Sequence, residues 1–182
     1  MLPGHQLSTR TIKLCMVLKW LSVIAAVLYL YFFFYTDTRD NITTEYWDRL
    51  APAVQEATQV TALKKNLLIL VLGLRWLGDL LLLAGCWYTF KALESGHPFS
   101  LKVAKAVRLL GVFTVIGPLI HTIVPTLIIL VMTMDNPKGL REFTIIGNLA
   151  HLRLLLLGML FFILAQIFHA AVRISDEHRQ IV

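Results

Sequence analysis

Apolar residues fall along this chain in four long runs, Leu14–Tyr35, Leu67–Phe90, Val107–Met134 and about Leu149–Val172. About 20 such residues at 1.5 Å rise cover a hydrocarbon core of ~30 Å. Each run therefore predicts a membrane-crossing helix, and the four predict an all-α integral membrane four-helix bundle. The first run is too long for a signal peptide and no small-residue cleavage site follows it, so it reads as a retained helix. The polar stretches between the runs are short. No connection could hold a second soluble domain, which makes residues 1–182 a single membrane domain.

The largest connection, 36–66, has its own periodicity. Tyr46, Trp47, Leu50, Ala51, Val54 and Ala57 recur at helical spacing, with Pro52 either starting a new helix or kinking this one. That predicts a short amphipathic helix between spans one and two, lying on a leaflet with Trp47 at the interface. A lid over a cavity is the functional alternative. The second connection, 91–106, contains the turn Glu94-Ser95-Gly96-His97-Pro98-Phe99-Ser100, in which Gly96 and Pro98 break one helix and Ser100 caps the next. The third, Asp135-Asn136-Pro137-Lys138-Gly139, turns into a mildly amphipathic stretch, and residues 173–182 form a tail.

Charge gives the spans a direction. The side with the N-terminus, the second connection and the tail carries nine bases: Arg10, Lys13, Lys19, Lys91, Lys102, Lys105, Arg108, Arg173 and Arg179. The other side carries six, Arg39, Arg49, Lys64, Lys65, Lys138 and Arg141, and most of the acids, among them Asp37, Asp40, Glu45, Asp48 and Glu56. Basic loops stay cytoplasmic, so both termini are expected inside and the 36–66 connection outside. Topology and anionic lipid account for the net +6, and no direct nucleic-acid binding is expected. With 57% hydrophobic and only 15% charged residues, against roughly 25% charged in soluble domains, the bilayer is the main partner. Cys15 and Cys86 form no Cys-x-x-Cys and read as small packing residues, not redox groups.

Polar residues within the runs are where chemistry would reside, since each is costly unless paired or hydrated. Arg75 and Asp79 stand one turn apart on one helix face, as either a mutually neutralising pair that fixes register or a proton or cation site. The first is favoured. Arg153 lies near the outer edge of span four, in snorkelling range of headgroups. His121, between Pro118 and Pro125, is expected to bond carbonyls freed by the prolines, or else to line a water-filled bend. Counting depth from the loop edges puts His121 about 20 Å, His169 about 6 Å and His151 about 33 Å from the cytoplasmic side. Histidines at three levels cannot share a haem or metal, so no cofactor is expected. A faint repeat is also present: Leu74-Arg75-Trp76-Leu77 resembles Leu152-Arg153-Leu154-Leu155, with Phe90 and Phe168 each fifteen residues after its Arg.

There is no phosphate loop, no Gly-x-Ser-x-Gly and no His-Glu-x-x-His, and nothing in the sequence supports an enzyme. The turn Ser95-Gly96-His97-Pro98-Phe99-Ser100 with Ala104, Arg108, Leu109 and Gly111, and the tail with Ala171, Glu177 and Gln180-Ile181-Val182, resemble the signature of a bacterial membrane family. That family is domain-of-unknown-function family 2975. The resemblance implies a four-span inner-membrane protein without a catalytic residue set. It also implies a small Cro/C1-type helix-turn-helix regulator as partner, for which the cytoplasmic turn and tail would be a docking face. His97, Pro98, Phe99, Ser100, Lys102, Lys105 and Glu177 are its candidate residues. The alternative is a small transporter or permeability protein using Arg75, Asp79 and His121. A homodimer is a third expectation, because four helices bury little surface alone.

Overall fold

The computed structural model describes residues 7–36, 46–145 and 149–180, with side chains in the last stretch described as far as residue 174. The described residues form the long helices α1 (Thr9–Thr36), α3 (Ala62–Leu93), α4 (Leu101–Thr133) and α5 (Leu149–Gln180), and the short α2 (Pro52–Ala57). All four long helices are apolar and long enough to cross a membrane. The chain is thus an all-α membrane bundle.

The helices overrun the apolar stretches that announce them. A run of apolar residues marks what suits lipid, whereas a helix ends where a cap or breaker ends it. Thr61 accepts from the Lys64 N–H and so starts α3 at Ala62, while Ser100 accepts from the Val103 N–H and starts α4 at Leu101. Helix α5 runs to Gln180, through what reads as a tail, because no Gly or Pro interrupts it. At 32 and 33 residues, α3 and α4 are about 48–50 Å long, well beyond a ~30 Å hydrocarbon core. Helix α2 begins at Pro52, whose missing N–H costs nothing at a first helical position. Residues 140–145 are irregular rather than the amphipathic stretch the sequence suggests.

Packing follows chain order: α1 lies on α3, α3 on α4, and α4 on α5. Helices α1 and α5 are the edges of the bundle and do not pack on each other along their length. The α4–α5 crossing is held close by two glycines. A Cβ on Gly158 would lie 2.7 Å from a Val115 methyl and 3.0 Å from two α4 backbone atoms, and one on Gly111 would lie 3.0 Å from the Phe162 nitrogen. Only hydrogen fits at these places, so the glycine pair fixes the α4–α5 register.

Each end of the bundle is tied differently. At the turn end, Gly96 takes a φ of +80°, readily available to glycine, and its carbonyl accepts from the Leu7 N–H at 3.0 Å. Lys19 of α1 pairs with Glu94 there. At the opposite end Tyr46, Leu50 and Val54 bury against Leu68 and Leu72 of α3 and Val124, Ile128 and Met132 of α4. Lys64 is 1% exposed, donates to the Met132 carbonyl at 2.9 Å and pairs with Asp135 at 3.3 Å. An ammonium at the end of α4 satisfies an orphan carbonyl and complements the helix dipole. The buried Asn136 amide donates to Thr58 and to the Leu140 carbonyl, and Glu142 accepts from the Ala51 N–H. These bonds close residues 46–61 over the ends of α3 and α4 as a cap.

Candidate functional site

Asp79 is central in α3, seventeen residues from its start and fourteen from its end. Its Oδ1 is 2.9 Å from His121 Nε2 on α4, and its Oδ2 accepts the Tyr29 hydroxyl of α1. The His121 ring lies 5.5 Å from that of His151, whose Nδ1 is 3.3 Å from the Thr122 hydroxyl. Tyr29 in turn packs on Trp76 with ring centroids 4.0 Å apart. All four long helices therefore contribute a polar group to one cluster. It is only partly sealed, the Asp79 side chain being 29% exposed and that of His121 17%.

Three sequence expectations need correction here. Arg75 and Asp79 do not form a direct ion pair. Both carboxylate oxygens are occupied by Tyr29 and His121, and Arg75 bears on Asp79 and His151 only through its charge. His121 bonds Asp79 instead of a carbonyl freed by a proline. His121 and His151 also share a level. Depth counted from the loop edges separates them because α4 begins six residues before its apolar run and α5 continues past its own. Counted from the crossing of Gly158 with Thr114 and Val115, His151 is seven residues along α5 and His121 six or seven along α4, in opposite chain directions. That arithmetic brings the rings together.

Tyr29, His151 and Thr122 are the members that sequence reasoning missed. Small residues carried the signal, since glycines on facing helices mark where backbones touch and set relative depth better than loop positions do. Among the described residues no three His, Cys, Asp or Glu side chains are grouped to hold a metal ion. The arrangement is a hydrogen-bonded acid–imidazole pair with a phenol on the other oxygen, able to hold and exchange a proton.

The other candidates lie apart, at the turn end. Ser100 is used as the α4 cap, and Phe99 sets its ring against Phe168 of α5 at 6.1 Å. His97, Phe99, Lys102 and Lys105 are exposed, and Pro98 is half-buried. Glu177 lies on the last turns of α5, with its side chain outside the described residues.

The family model described as "Protein of unknown function (DUF2975)" matches residues 50–182. The chain belongs to this family. The match takes in three of the four long helices and three of the four helices that build the polar cluster, leaving out Tyr29 on α1. No curated protein and no solved structure matches the chain.

Proposed function

We propose that this DUF2975 protein is a non-enzymatic bacterial inner-membrane protein with a small transport or permeation site built on Asp79, His121, Tyr29 and His151. Both termini are cytoplasmic in this reading, in line with the excess of Lys and Arg on their side. The supporting observation is that Asp79 accepts hydrogen bonds from two other spans while staying partly open. An acid within a span is costly to keep, and is retained where a proton or ion must be bound and released. His121 gives that acid an imidazole partner on another span, a group that can both donate and accept a proton. The test is proton flux into proteoliposomes carrying a pH-sensitive dye under an imposed potential. Wild type is expected to exceed empty vesicles, Asp79→Asn to abolish the excess and Tyr29→Phe to retain part of it. Equal rates for wild type and Asp79→Asn at matched incorporation sink the proposal.

A second reading concerns the turn end. The Gly96 and Ser100 bonds hold the turn while His97, Phe99, Lys102 and Lys105 remain exposed, which suits a docking face for a soluble partner. In this reading the partner is the small helix-turn-helix regulator that the family resemblance implies. Co-purification from native membranes tests it: a regulator retained by wild type and lost on Phe99→Ala supports docking, and none retained by wild type removes it.

A further inference from the structure

Arg75 is half-buried, and among the described residues it makes no hydrogen bond or ion pair. Its nearest acid does not serve it, because Tyr29 and His121 hold the two oxygens of Asp79. A guanidinium presents five donors in a planar fork and is charged at every physiological pH. With the one carboxylate of the cluster already engaged, the group missing beside Arg75 is an anion.

Its position says where that anion comes from. Trp76, the next residue, packs on Phe33 at 5.1 Å, and α1 ends three residues later at Thr36. His151, against His121, is the third residue of α5. Arg75 and His151 thus lie near the level at which the apolar runs of both edge helices, Leu14–Tyr35 and Leu149–Val172, reach their ends and a span meets lipid headgroups. Helices α3 and α4 continue past this level, α3 by thirteen residues or about 20 Å, to the cap formed by 46–61. Helices α1 and α5 do not close on each other, so the side of the bundle between them is open to the bilayer.

We infer that Arg75 seats the phosphate of an anionic phospholipid, which reaches it sideways between α1 and α5. A phosphate accepts the guanidinium fork through two oxygens, and its acyl chains lie along the exposed apolar faces of Val27, Tyr31, Leu152 and Leu156. The inference deepens the transport reading by naming the class of ligand its site takes. It rests on that reading only for calling the cluster functional, since lipid occupancy is an equilibrium property that needs no flux.

The test uses the full chain with Trp76 as its sole tryptophan (Trp20→Phe, Trp47→Phe, Trp87→Phe), in phosphatidylcholine nanodiscs. These are doped with brominated phosphatidylglycerol or, in a matched set, brominated phosphatidylcholine. Trp76 quenching should show about a tenfold preference for the anionic lipid, as one charge-assisted contact provides. Arg75→Gln should remove the preference, and Asp79→Asn, by deleting a neighbouring negative charge, should strengthen it. Inorganic phosphate in the buffer should leave it unchanged. Equal quenching by the two lipids overturns the inference, as does a preference that survives Arg75→Gln. Displacement by inorganic phosphate overturns the lipid source. If Arg75→Gln is not monodisperse, Asp79→Asn decides: a preference it does not raise contradicts the assignment. Wild-type vesicles whose proton flux does not exceed that of empty ones, alongside an intact lipid preference, would count against the transport reading alone.

Discussion

Replacing Gly158 by alanine adds one methyl group at the α4–α5 crossing. Its carbon would stand 2.7 Å from a Val115 methyl carbon and 3.0 Å from the Thr114 carbonyl carbon and the Val115 nitrogen. Carbon atoms rest about 3.5–4.0 Å apart, and two of the three obstacles are backbone, which no rotamer change can move. Helix α5 must therefore retreat by roughly 0.5–1 Å, an overpacking cost of about 1–3 kcal/mol. For a chain of this size that corresponds to a fall in Tm of roughly 2–12 °C, taking the scaling of soluble domains. The retreat reaches the polar cluster, because His151 is only two helical turns from Gly158. The His151–Thr122 contact of 3.3 Å would lengthen past hydrogen-bonding range. The assay is thermal unfolding in mild detergent, with Gly73→Ala as the control. Gly73 also lies mid-helix, but a Cβ there meets nothing within 4 Å. Alanine favours a helix over glycine by about 1 kcal/mol, so Gly73→Ala should hold or raise the Tm while Gly158→Ala lowers it. Equal shifts for the two variants would refute the close crossing and the register derived from it.

Two further outcomes follow from the ends of the bundle. Lys64→Ala should lower stability by about 1–3 kcal/mol, because it strips a donor from the buried Met132 carbonyl while leaving the largely exposed Asp135 in water. Hydrogen exchange should quicken at residues 132–136, and unchanged protection there would show that Lys64 is not the cap of α4. For topology, a membrane-impermeant maleimide should label His97→Cys only in inside-out vesicles and Lys138→Cys only in right-side-out ones; the opposite pattern reverses the proposed orientation.

Much of the fold was legible because lipid imposes a single strong rule, that a span must be apolar over its whole thickness. The four runs, the Ser100 cap and the break at Gly96 all came through. Helix ends did not, since polar residues continue a helix outside the hydrocarbon as easily as they end it, as α3 and α5 show. The site was half visible. Asp79 and His121 stand out as polar residues in apolar runs, whereas depth from the loop edges places His151 at the wrong level. Tyr29 gave no signal of its own, because a tyrosine in a span is ordinary until its hydroxyl meets a carboxylate on another helix. The Arg75–Asp79 spacing suggested a pair that cross-helix partners displace. Local periodicity identifies which residues share a face; only register between helices decides which of them meet.

The most direct check on the convergence of four spans at Asp79 is the ¹⁵N spectrum of the imidazoles in lipid bilayers, recorded for wild type and Asp79→Asn. The substitution should shift the His121 signals most, move His151 through ring contact, and leave His97 and His169 where they were. A His121 resonance unmoved by the loss of the Asp79 carboxylate would contradict that convergence.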